Sequence, residues 1–229
     1  MYRGKKISVY FPCRNEENHL PEMLSRIPKF VDEVIIVSNK STDRTLDKAK
    51  ELGAIALEDD RVLNGIGYGF AHMTGMKSAT GDIIATADGD LTYPIEELSR
   101  VIDYLLDKPA DFISCNRYPL KEETQISPML QLGVRVLNTE VFLLYGIRIK
   151  DILSGMWVFR REVVDKLGLN MGDWNLSPQI KLNAASRKEI KFEEYGISQY
   201  QRGGKSKQVY WKTGFSHLWW IFKNRFVGK

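Results

Sequence analysis

Residues 82–94 read Asp-Ile-Ile-Ala-Thr-Ala-Asp-Gly-Asp-Leu-Thr-Tyr-Pro, a short apolar run that ends in two carboxylates. The run is typical of a buried strand, so Asp88 and Asp90 would lie at the edge of a sheet with only Gly89 between them. Two carboxylates this close repel each other unless a cation lies between them. Because Mg²⁺ is often bound through one or two carboxylates together with substrate phosphates, the stretch indicates a metal that holds a diphosphate. Taken alone it also fits a solvated turn, since Asp and Gly are common turn residues.

Strand and helix patterns alternate on both sides of this stretch. Repeated strand–helix units predict an α/β fold, with a mainly parallel twisted sheet covered by helices on both faces. Helices are predicted near Leu20–Arg26, Thr42–Leu52 and Gly67–Ala79, and another begins at Pro94. The predicted strands of this half are Ile7–Phe11, Glu33–Val37, Ala54–Leu57, Ile83–Thr86 and Phe112–Cys115.

Polar loops follow four of these elements at the same end of the predicted sheet. They are Cys13–Glu17, Ser38–Asp43, Asp59–Gly69 and Asp88–Asp90. In parallel sheets, ligands bind beyond the carboxyl ends of the strands. We therefore expect the four loops to meet in one crevice, which favours the metal site over the solvated turn.

The second half of the chain is less regular. Its predicted elements are a helix over Ser127–Tyr145, a strand over Gly155–Phe159, a short helix over Arg161–Leu167, a helix over Leu176–Ser186 and a strand over Ile190–Glu194. A glycine- and lysine-rich loop, Arg202–Lys207, follows.

Composition places the chain among ordinary globular proteins. It has 229 residues, 43% hydrophobic and 27% charged, which suits one large α/β domain or two small ones. Its two cysteines, Cys13 and Cys115, lie far apart, so a reducing, cytosolic setting is expected. The basic N-terminus does not have the pattern of a signal peptide, and no apolar run approaches the ~20 residues that span a bilayer.

The C-terminal end is basic and aromatic. From Arg202 to Lys229 there are seven basic residues and no acidic one, which suggests an anionic partner. A stripe at helical spacing fits either a helix in a membrane interface or a helix docked on the protein core. Nucleic acid is not expected, because the aromatic residues are separate from the basic ones. The stripe comprises Trp211, Phe215, Leu218, Trp219, Phe222 and Phe226, and Lys212, Lys223 and Arg225 lie off it.

Four motifs, in their order and spacing, carry a family resemblance. They are Phe11–Glu17, Ser41–Thr45, Asn64–Gly69 and Asp88–Pro94. The chain resembles family 2 glycosyltransferases of the Rossmann-like GT-A fold, and within them the dolichyl-phosphate mannose synthase and polyprenyl-phosphate hexosyltransferase group. The resemblance covers about residues 7–207, and further residues support it: Asn116–Tyr118, Arg135 with Asn138, Asp151 with Ser154–Gly155, Phe159–Arg161 and Arg202–Lys207.

This resemblance implies a UDP- or GDP-linked sugar donor, Mg²⁺ or Mn²⁺, and an inverting transfer of a hexose to a polyprenyl phosphate. Asp88 and Asp90 would hold the metal. The implied catalytic residues are Asp90 and the phosphate-gripping cations Arg117, Arg135 and Lys205, since Arg and Lys both bind phosphates. The implied donor-binding residues are Pro12, Asn15, Glu16, Asn39, Asp88, Asp90 and Arg202.

The class of acceptor is inferred from whether the sequence carries a general base. Family members that use sugar hydroxyls carry a carboxylate in the region of Leu176–Leu182, and here that region has no acid. A phosphate acceptor, already anionic, needs little help from a base. Asp173 lies close enough in sequence to leave the hydroxyl alternative open. The chain also departs from the family's pattern, with Ser38–Asn39 in place of an acidic pair and Thr92 where the mannose synthases often have Gln.

The sequence therefore predicts a peripheral enzyme on the cytoplasmic face of a membrane. Residues 1–208 would form the GT-A domain and residues 209–229 an amphipathic helix at the membrane surface. Two alternatives remain: a glycosyltransferase acting on a sugar hydroxyl, and a membrane-surface module that binds nucleotide sugars without catalysis. A sugar-nucleotide pyrophosphorylase is not expected, because Pro12–Glu16 is not the glycine-rich loop that such enzymes carry.

Overall fold

The protein is described by a computed structural model that covers residues 1–122, 124, 126–201 and 208–227. One seven-stranded sheet forms its centre, in the order β3-β2-β1-β4-β6-β5-β7. The strands are β1 (Ile7–Cys13), β2 (Glu33–Ser38), β3 (Ile55–Glu58), β4 (Ile83–Thr86), β5 (Phe112–Asn116), β6 (Trp157–Arg160) and β7 (Phe192–Gly196).

Most of the sheet is parallel, as the alternating pattern predicts. β1 pairs in parallel with β2 and β4, β2 with β3, and β5 with β7. Only β6 runs against its neighbours, β4 and β5. The carboxyl ends of β1, β2, β3 and β4 therefore lie at one edge, where the polar loops begin.

Helices cover both faces of the sheet. The α-helices are α1 (Leu20–Ser25), α2 (Thr45–Glu51), α3 (Tyr68–Ser78), α4 (Leu98–Asp107), α5 (Pro128–Tyr145), α6 (Leu176–Ser186) and α7 (Tyr210–Val227). Because strand side chains alternate between faces, Val9 packs with α1 and α4 while its neighbour Tyr10 packs on the α3 and α6 side. The predicted α/β class is confirmed.

One predicted helix is wrong. Over Arg161–Leu167 only the first three residues form a 3₁₀ turn. Turn-type backbone hydrogen bonds continue to Leu167, whose N–H donates to the Val163 carbonyl at 3.1 Å, and Val163 and Leu167 are both buried beside the sheet. The adjacent β-branched pair Val163–Val164 also disfavours a helix, and Gly168 ends the segment with a φ of +59°.

The helix α7 packs on α5 with a face different from the aromatic stripe. Ile221 is fully buried between α5 and α7, and Tyr145 of α5 donates a hydrogen bond to the Ile221 carbonyl at 2.9 Å. The stripe points away: Trp211, Phe215 and Trp219 are 65%, 67% and 66% exposed. Leu218 is the member of the stripe that packs against the same cluster as Ile221, and the exposed aromatic residues of the stripe are not what docks α7. Within the described ranges, every helix is too short or too polar to cross a bilayer.

The docking face of α7 can be tested by truncation. We expect Ile221→Ala to lower the free energy of unfolding by about 2–5 kcal/mol, because it removes buried methylenes between two helices. Phe215→Ala, on the exposed stripe of the same helix, is the matched control and should change stability by less than about 0.5 kcal/mol. Chemical denaturation measures both. Equal effects of the two substitutions would contradict the packing described here.

Candidate active site

The four polar loops meet, as the sequence predicts, in a cavity of about 470 Å³ at the carboxyl edge of the sheet. This volume lies within the usual range for small-molecule sites. Six of the ten site residues expected from the sequence line it: Pro12, Glu16, Asn39, Asp88, Asp90 and Arg117. Among the described residues, Asn15 and Arg135 do not line the cavity, and Arg202 and Lys205 lie outside the described ranges.

The Asp88–Asp90 turn is tightly held. Asp90 is 5% exposed, and its Oδ1 accepts hydrogen bonds from the Thr92 backbone N–H at 3.2 Å and the Thr92 hydroxyl at 2.5 Å. Thr92, a departure from the family's pattern, thus orients Asp90. Gly89 is required by close approach, since a Cβ there would lie 2.6 Å from the Sγ of Cys13.

The Asp88 carboxylate is confined from two sides. The Tyr68 hydroxyl donates a hydrogen bond to its Oδ1 at 3.3 Å. On another side Gly155 lies so near that a Cβ there would be 2.9 Å from Oδ2 of Asp88. Asp88 is thereby kept at the cavity wall beside Asp90.

The donor set at this turn fits a hard divalent cation. Within the described ranges, no three His, Cys, Asp or Glu side chains cluster closely enough to hold a metal by themselves. A cation held by Asp88 and Asp90 would therefore complete its coordination with water and ligand oxygens. This is the manner in which Mg²⁺ binds with substrate phosphates.

Asn39 presents a hydrogen-bond acceptor to the cavity region. Its Nδ2 donates to the Asp59 carbonyl at 2.5 Å and the Arg61 carbonyl at 3.1 Å, which fixes the orientation of the amide. Its Oδ1 is buried and has no hydrogen-bond partner among the described residues. A buried acceptor left unpaired is costly, so this atom is suited to a donor group of a ligand, such as a ribose hydroxyl or a base N–H.

Asn15 joins two loops. It has a φ of +55°, and its Oδ1 accepts a hydrogen bond from the Thr42 backbone N–H at 2.7 Å. Its own backbone N–H donates to Ser41 Oγ at 3.1 Å. Asn15 therefore positions the loops after β1 and β2, whereas the neighbouring Glu16 reaches the cavity wall.

Arg117 reaches the cavity as half of a buried ion pair. It is 4% exposed, and its Nε and Nη2 donate to the two oxygens of Asp151 at 2.5 and 2.8 Å. Burial would raise the pKa of the Asp151 carboxyl, but the charge and hydrogen bonds of Arg117 hold that pKa below its ordinary value. A third donor, Nη1, contacts Gln199 Oε1 at 2.7 Å. Arg117 is thus rigidly oriented and charged.

Asp173, the open candidate for a general base, is engaged elsewhere. Its Oδ2 accepts from Asn64 at 3.1 Å and from the Asn175 side chain at 3.3 Å, and its Oδ1 accepts from the Asn175 backbone N–H at 2.9 Å. Asp173 is also absent from the residues that line the cavity within the described part of the chain. This geometry does not favour a role as base.

The structure adds a cavity residue that the sequence reasoning missed. His217 of α7 lines the cavity and is 3% exposed, with its Nδ1 2.8 Å from Asn175 Oδ1. Burial lowers the pKa of His217 to about 4, so the ring is neutral near pH 7. Because the Asn175 amide nitrogen already donates to Asp173 and Ser216, we assign the ring proton to Nδ1. In the sequence, His217 lies within the helix that carries the aromatic stripe, and the sequence reasoning did not single it out.

Comparison with known proteins places this site in a family. The family model described as glycosyl transferase family 2 matches residues 8–168. The chain is 27% identical over 225 residues to the low-salt glycan biosynthesis hexosyltransferase Agl6 of Haloferax volcanii, covering 95% of this chain and 53% of that protein. It is 29% identical over 228 residues to the dolichol-phosphate mannosyltransferase of Pyrococcus furiosus, covering 95% and 63%. The chain thus spans less than two thirds of the length of these two relatives.

A relative of similar length and a solved structure agree. An uncharacterized glycosyltransferase of Mycobacterium tuberculosis is 30% identical over 207 residues, covering 89% of this chain and 90% of that protein. Glucosyl-3-phosphoglycerate synthase of the same organism, solved with Mn²⁺, UDP-glucose and phosphoglyceric acid, superposes with a TM-score of 0.71 at 20% identity, covering 97% and 80% of the two chains. That likeness shows the GT-A fold. The chain belongs to glycosyltransferase family 2.

Proposed function

We propose that this glycosyltransferase moves a hexose from a nucleotide diphosphate sugar to a polyprenyl phosphate at the cytoplasmic face of a membrane, inverting the anomeric centre with the help of Mg²⁺ or Mn²⁺. The observation that carries the proposal is where the cavity lies. Ile126, Ser127 and Leu130, at the start of α5, line it together with Tyr210 and His217 of α7. Both α5 and α7 also carry exposed apolar stripes.

The stripe on α5 is as exposed as that on α7. Met129, Leu132, Val136 and Leu143 recur at helical spacing and are 47%, 60%, 45% and 75% exposed. Exposed apolar patches of this kind mark protein or membrane contacts. Lys212, Lys223 and Arg225 are exposed on α7, whose sequence has no acidic residue, so an anionic lipid surface is the complementary partner. A lipid phosphate held at that surface would enter the cavity between α5 and α7.

The donor end of the proposal rests on Asp88, Asp90 and Asn39. A divalent cation held by the two carboxylates would stabilise the negative charge that develops on the leaving nucleoside diphosphate. Asn39 Oδ1 would accept a hydrogen bond from the nucleoside, and Pro12 and Glu16 would line the same pocket. Support comes from the Mn²⁺ and UDP-glucose bound to the mycobacterial synthase and from the dolichol-phosphate acceptor named for the Pyrococcus relative.

The acceptor end rests on Arg117. A phosphate monoester is largely dianionic above about pH 6, so it can attack the sugar without a general base. This agrees with the absence of an acid from Leu176–Leu182 and with the hydrogen bonds that occupy Asp173. Arg135 is exposed on α5, and we propose that it and Lys205 meet the lipid phosphate outside the buried part of the cavity. Arg202 stays a predicted donor contact.

We propose that helix α7 both contacts the membrane and borders the cavity. The sequence placed a boundary near residue 208, with residues 209–229 as a membrane-interface tail. Since α7 packs on α5 through Ile221 and lines the cavity through His217, we propose that the tail acts as one wall of the acceptor entrance. Cys13 and Cys115 are buried and are not joined in a disulfide, which suits a reducing compartment.

The reaction itself is testable with purified protein, Mn²⁺, labelled UDP- and GDP-sugars and a short polyprenyl phosphate in detergent. We expect a lipid-linked hexose from at least one donor, and Asp90→Asn should lower the rate at least about 10²-fold, because a group that stabilises the leaving charge is lost. Absence of lipid-linked product from every donor would contradict the proposal. Transfer to a soluble sugar hydroxyl under the same conditions would favour the alternative acceptor.

The confinement of Asp88 gives a second test. Gly155→Ala would place a methyl group against the Asp88 carboxylate, so we expect Mn²⁺-dependent binding of a nucleoside diphosphate to weaken by about tenfold or more. Gly133→Ala is the matched control, since a Cβ at Gly133 on α5 meets nothing within 4 Å. Titration calorimetry with and without Mn²⁺ measures the affinity. Unchanged affinity in Gly155→Ala would exclude Asp88 from the metal site.

Membrane contact can be tested separately from catalysis. The double substitution Phe215→Ser, Trp219→Ser should reduce flotation with vesicles of anionic lipid by at least about tenfold, because both side chains are exposed and apolar. Ile55→Ser with Val62→Ser, which removes exposed apolar groups elsewhere, should leave flotation unchanged. Binding should also weaken at high salt. Equal flotation of the two double variants would contradict membrane docking through α7.

A further inference from the structure

A fully buried lysine side chain is hydrogen-bonded to residues 151–155, a segment whose Leu153 lines the cavity. Lys181 of α6 is 0% exposed, and its ammonium donates hydrogen bonds to the Asp151 carbonyl at 3.0 Å, the Ser154 carbonyl at 2.6 Å and Ser154 Oγ at 3.3 Å. A buried ammonium is costly unless it is compensated. Every one of these three hydrogen bonds goes to one short segment, residues 151–155.

This segment touches both ends of the site. At its first residue, the Asp151 carboxylate holds the Arg117 guanidinium. At its last, Gly155 lies against the Asp88 carboxylate and donates its backbone N–H to the Tyr93 hydroxyl at 2.6 Å. The distance between the Arg117 guanidinium and the Asp88 carboxylate therefore depends on the conformation of residues 151–155. Lys181 holds that conformation through its hydrogen bonds.

The charge of Lys181 is not matched by a carboxylate of its own. Its acceptors are carbonyl and hydroxyl oxygens, and Asp151 is already paired with Arg117. Around it, burial raises the pKa of the Glu194 carboxyl and of the Cys115 thiol and lowers that of His217. The charged and titratable groups around the Lys181 ammonium are Asp151, Arg117, Glu194, Asp88, Cys115 and His217.

We propose that Lys181 is a positioning residue for the transfer reaction. It holds residues 151–155 so that Arg117 and Asp88 keep their places, and its positive charge favours phosphate groups bound in the cavity. The proposal rests on the function proposed above, because it assigns Lys181 to the same anionic ligands. A neutral donor could form the same hydrogen bonds to the carbonyls. A residue that only anchored this segment would therefore not need a positive charge.

The direction in which nucleotide binding changes with pH follows from the position of the Lys181 ammonium. Burial lowers the pKa of Lys181 to about 7, so the ammonium loses its proton as the pH rises through that value. An anion bound in the cavity favours the protonated form, and binding above pH 7 must therefore be accompanied by uptake of a proton. The contribution of Lys181 to nucleoside diphosphate affinity should accordingly fall between pH 6.5 and 8.5.

The test compares Lys181→Met with wild type by calorimetry of UDP and GDP binding in the presence of Mg²⁺. Met keeps the apolar stem of the side chain without the charge. We expect the variant to bind the nucleotide more weakly than wild type at pH 6.5. The ratio of the two affinities should be roughly tenfold smaller at pH 8.5. Lys188→Met, at an exposed position just after α6, is the control and should match wild type at both pH values. An advantage that is the same at both pH values would reduce Lys181 to a structural anchor and overturn the proposal.

A second measurement needs no variant and keeps the proposal falsifiable if Lys181→Met does not fold. Titration of wild type with UDP or GDP and Mg²⁺ at pH 8, in two buffers of different ionisation enthalpy, reports the protons taken up on binding. We expect net uptake, and zero uptake with measurable binding would overturn the role of Lys181. Wild type that binds neither nucleotide at either pH would instead contradict the proposed function.

Discussion

A buried ion pair, Arg117 with Asp151, is the interaction on which the Arg117 side of the cavity depends. Both side chains are almost wholly removed from water, and removing one partner of such a pair typically costs about 3–5 kcal/mol because the other charge stays buried. The pair therefore contributes little net stability, but it strongly constrains the conformation around Asp151. It commits residues 151–155 to one conformation, and that conformation brings Gly155 against Asp88 at the other end of the cavity.

The segment that this ion pair holds leads into the antiparallel strand of the sheet. β6 follows residues 151–155 directly and lies between β4 and β5. Its position brings the segment beside the end of β4, where Asp88 and Asp90 begin, and beside the end of β5, where Arg117 follows Asn116. The carboxylates and the guanidinium thus follow the two strands on either side of β6, while α5 and α7 leave apolar stripes exposed. In the proposed function, the cavity and the exposed apolar stripes therefore serve chemistry and membrane contact separately.

The sequence predicted the first half of the chain closely. The strand Ile83–Thr86 was predicted to the residue, because an apolar run between Asp82 and Asp88 leaves little freedom for its ends. The convergence of four loops followed from parallel topology alone. Asn15 shows the limit of a motif: it occupies a family position, yet its side chain joins Thr42 to the first loop.

Features that depend on distant partners could not be read from the sequence. Helical spacing on α7 identified an aromatic stripe, but which face packs is decided by α5, and it is the face with Ile221. Lys181 stands between Ile180 and Leu182 in a predicted helix, and its partners lie about thirty positions earlier in the chain. A lone lysine among apolar neighbours was the available signal, and its meaning required the conformation of residues 151–155.

The central claim is that Asp88 and Asp90 hold a divalent metal against a diphosphate. Crystals grown with Mn²⁺ and a nucleoside diphosphate, measured at the manganese absorption edge, test it most directly. The account predicts one strong anomalous peak between the two carboxylates, with diphosphate oxygens completing the coordination. A nucleotide bound in the cavity with no manganese at Asp88 or Asp90, or manganese bound away from both residues, would contradict it.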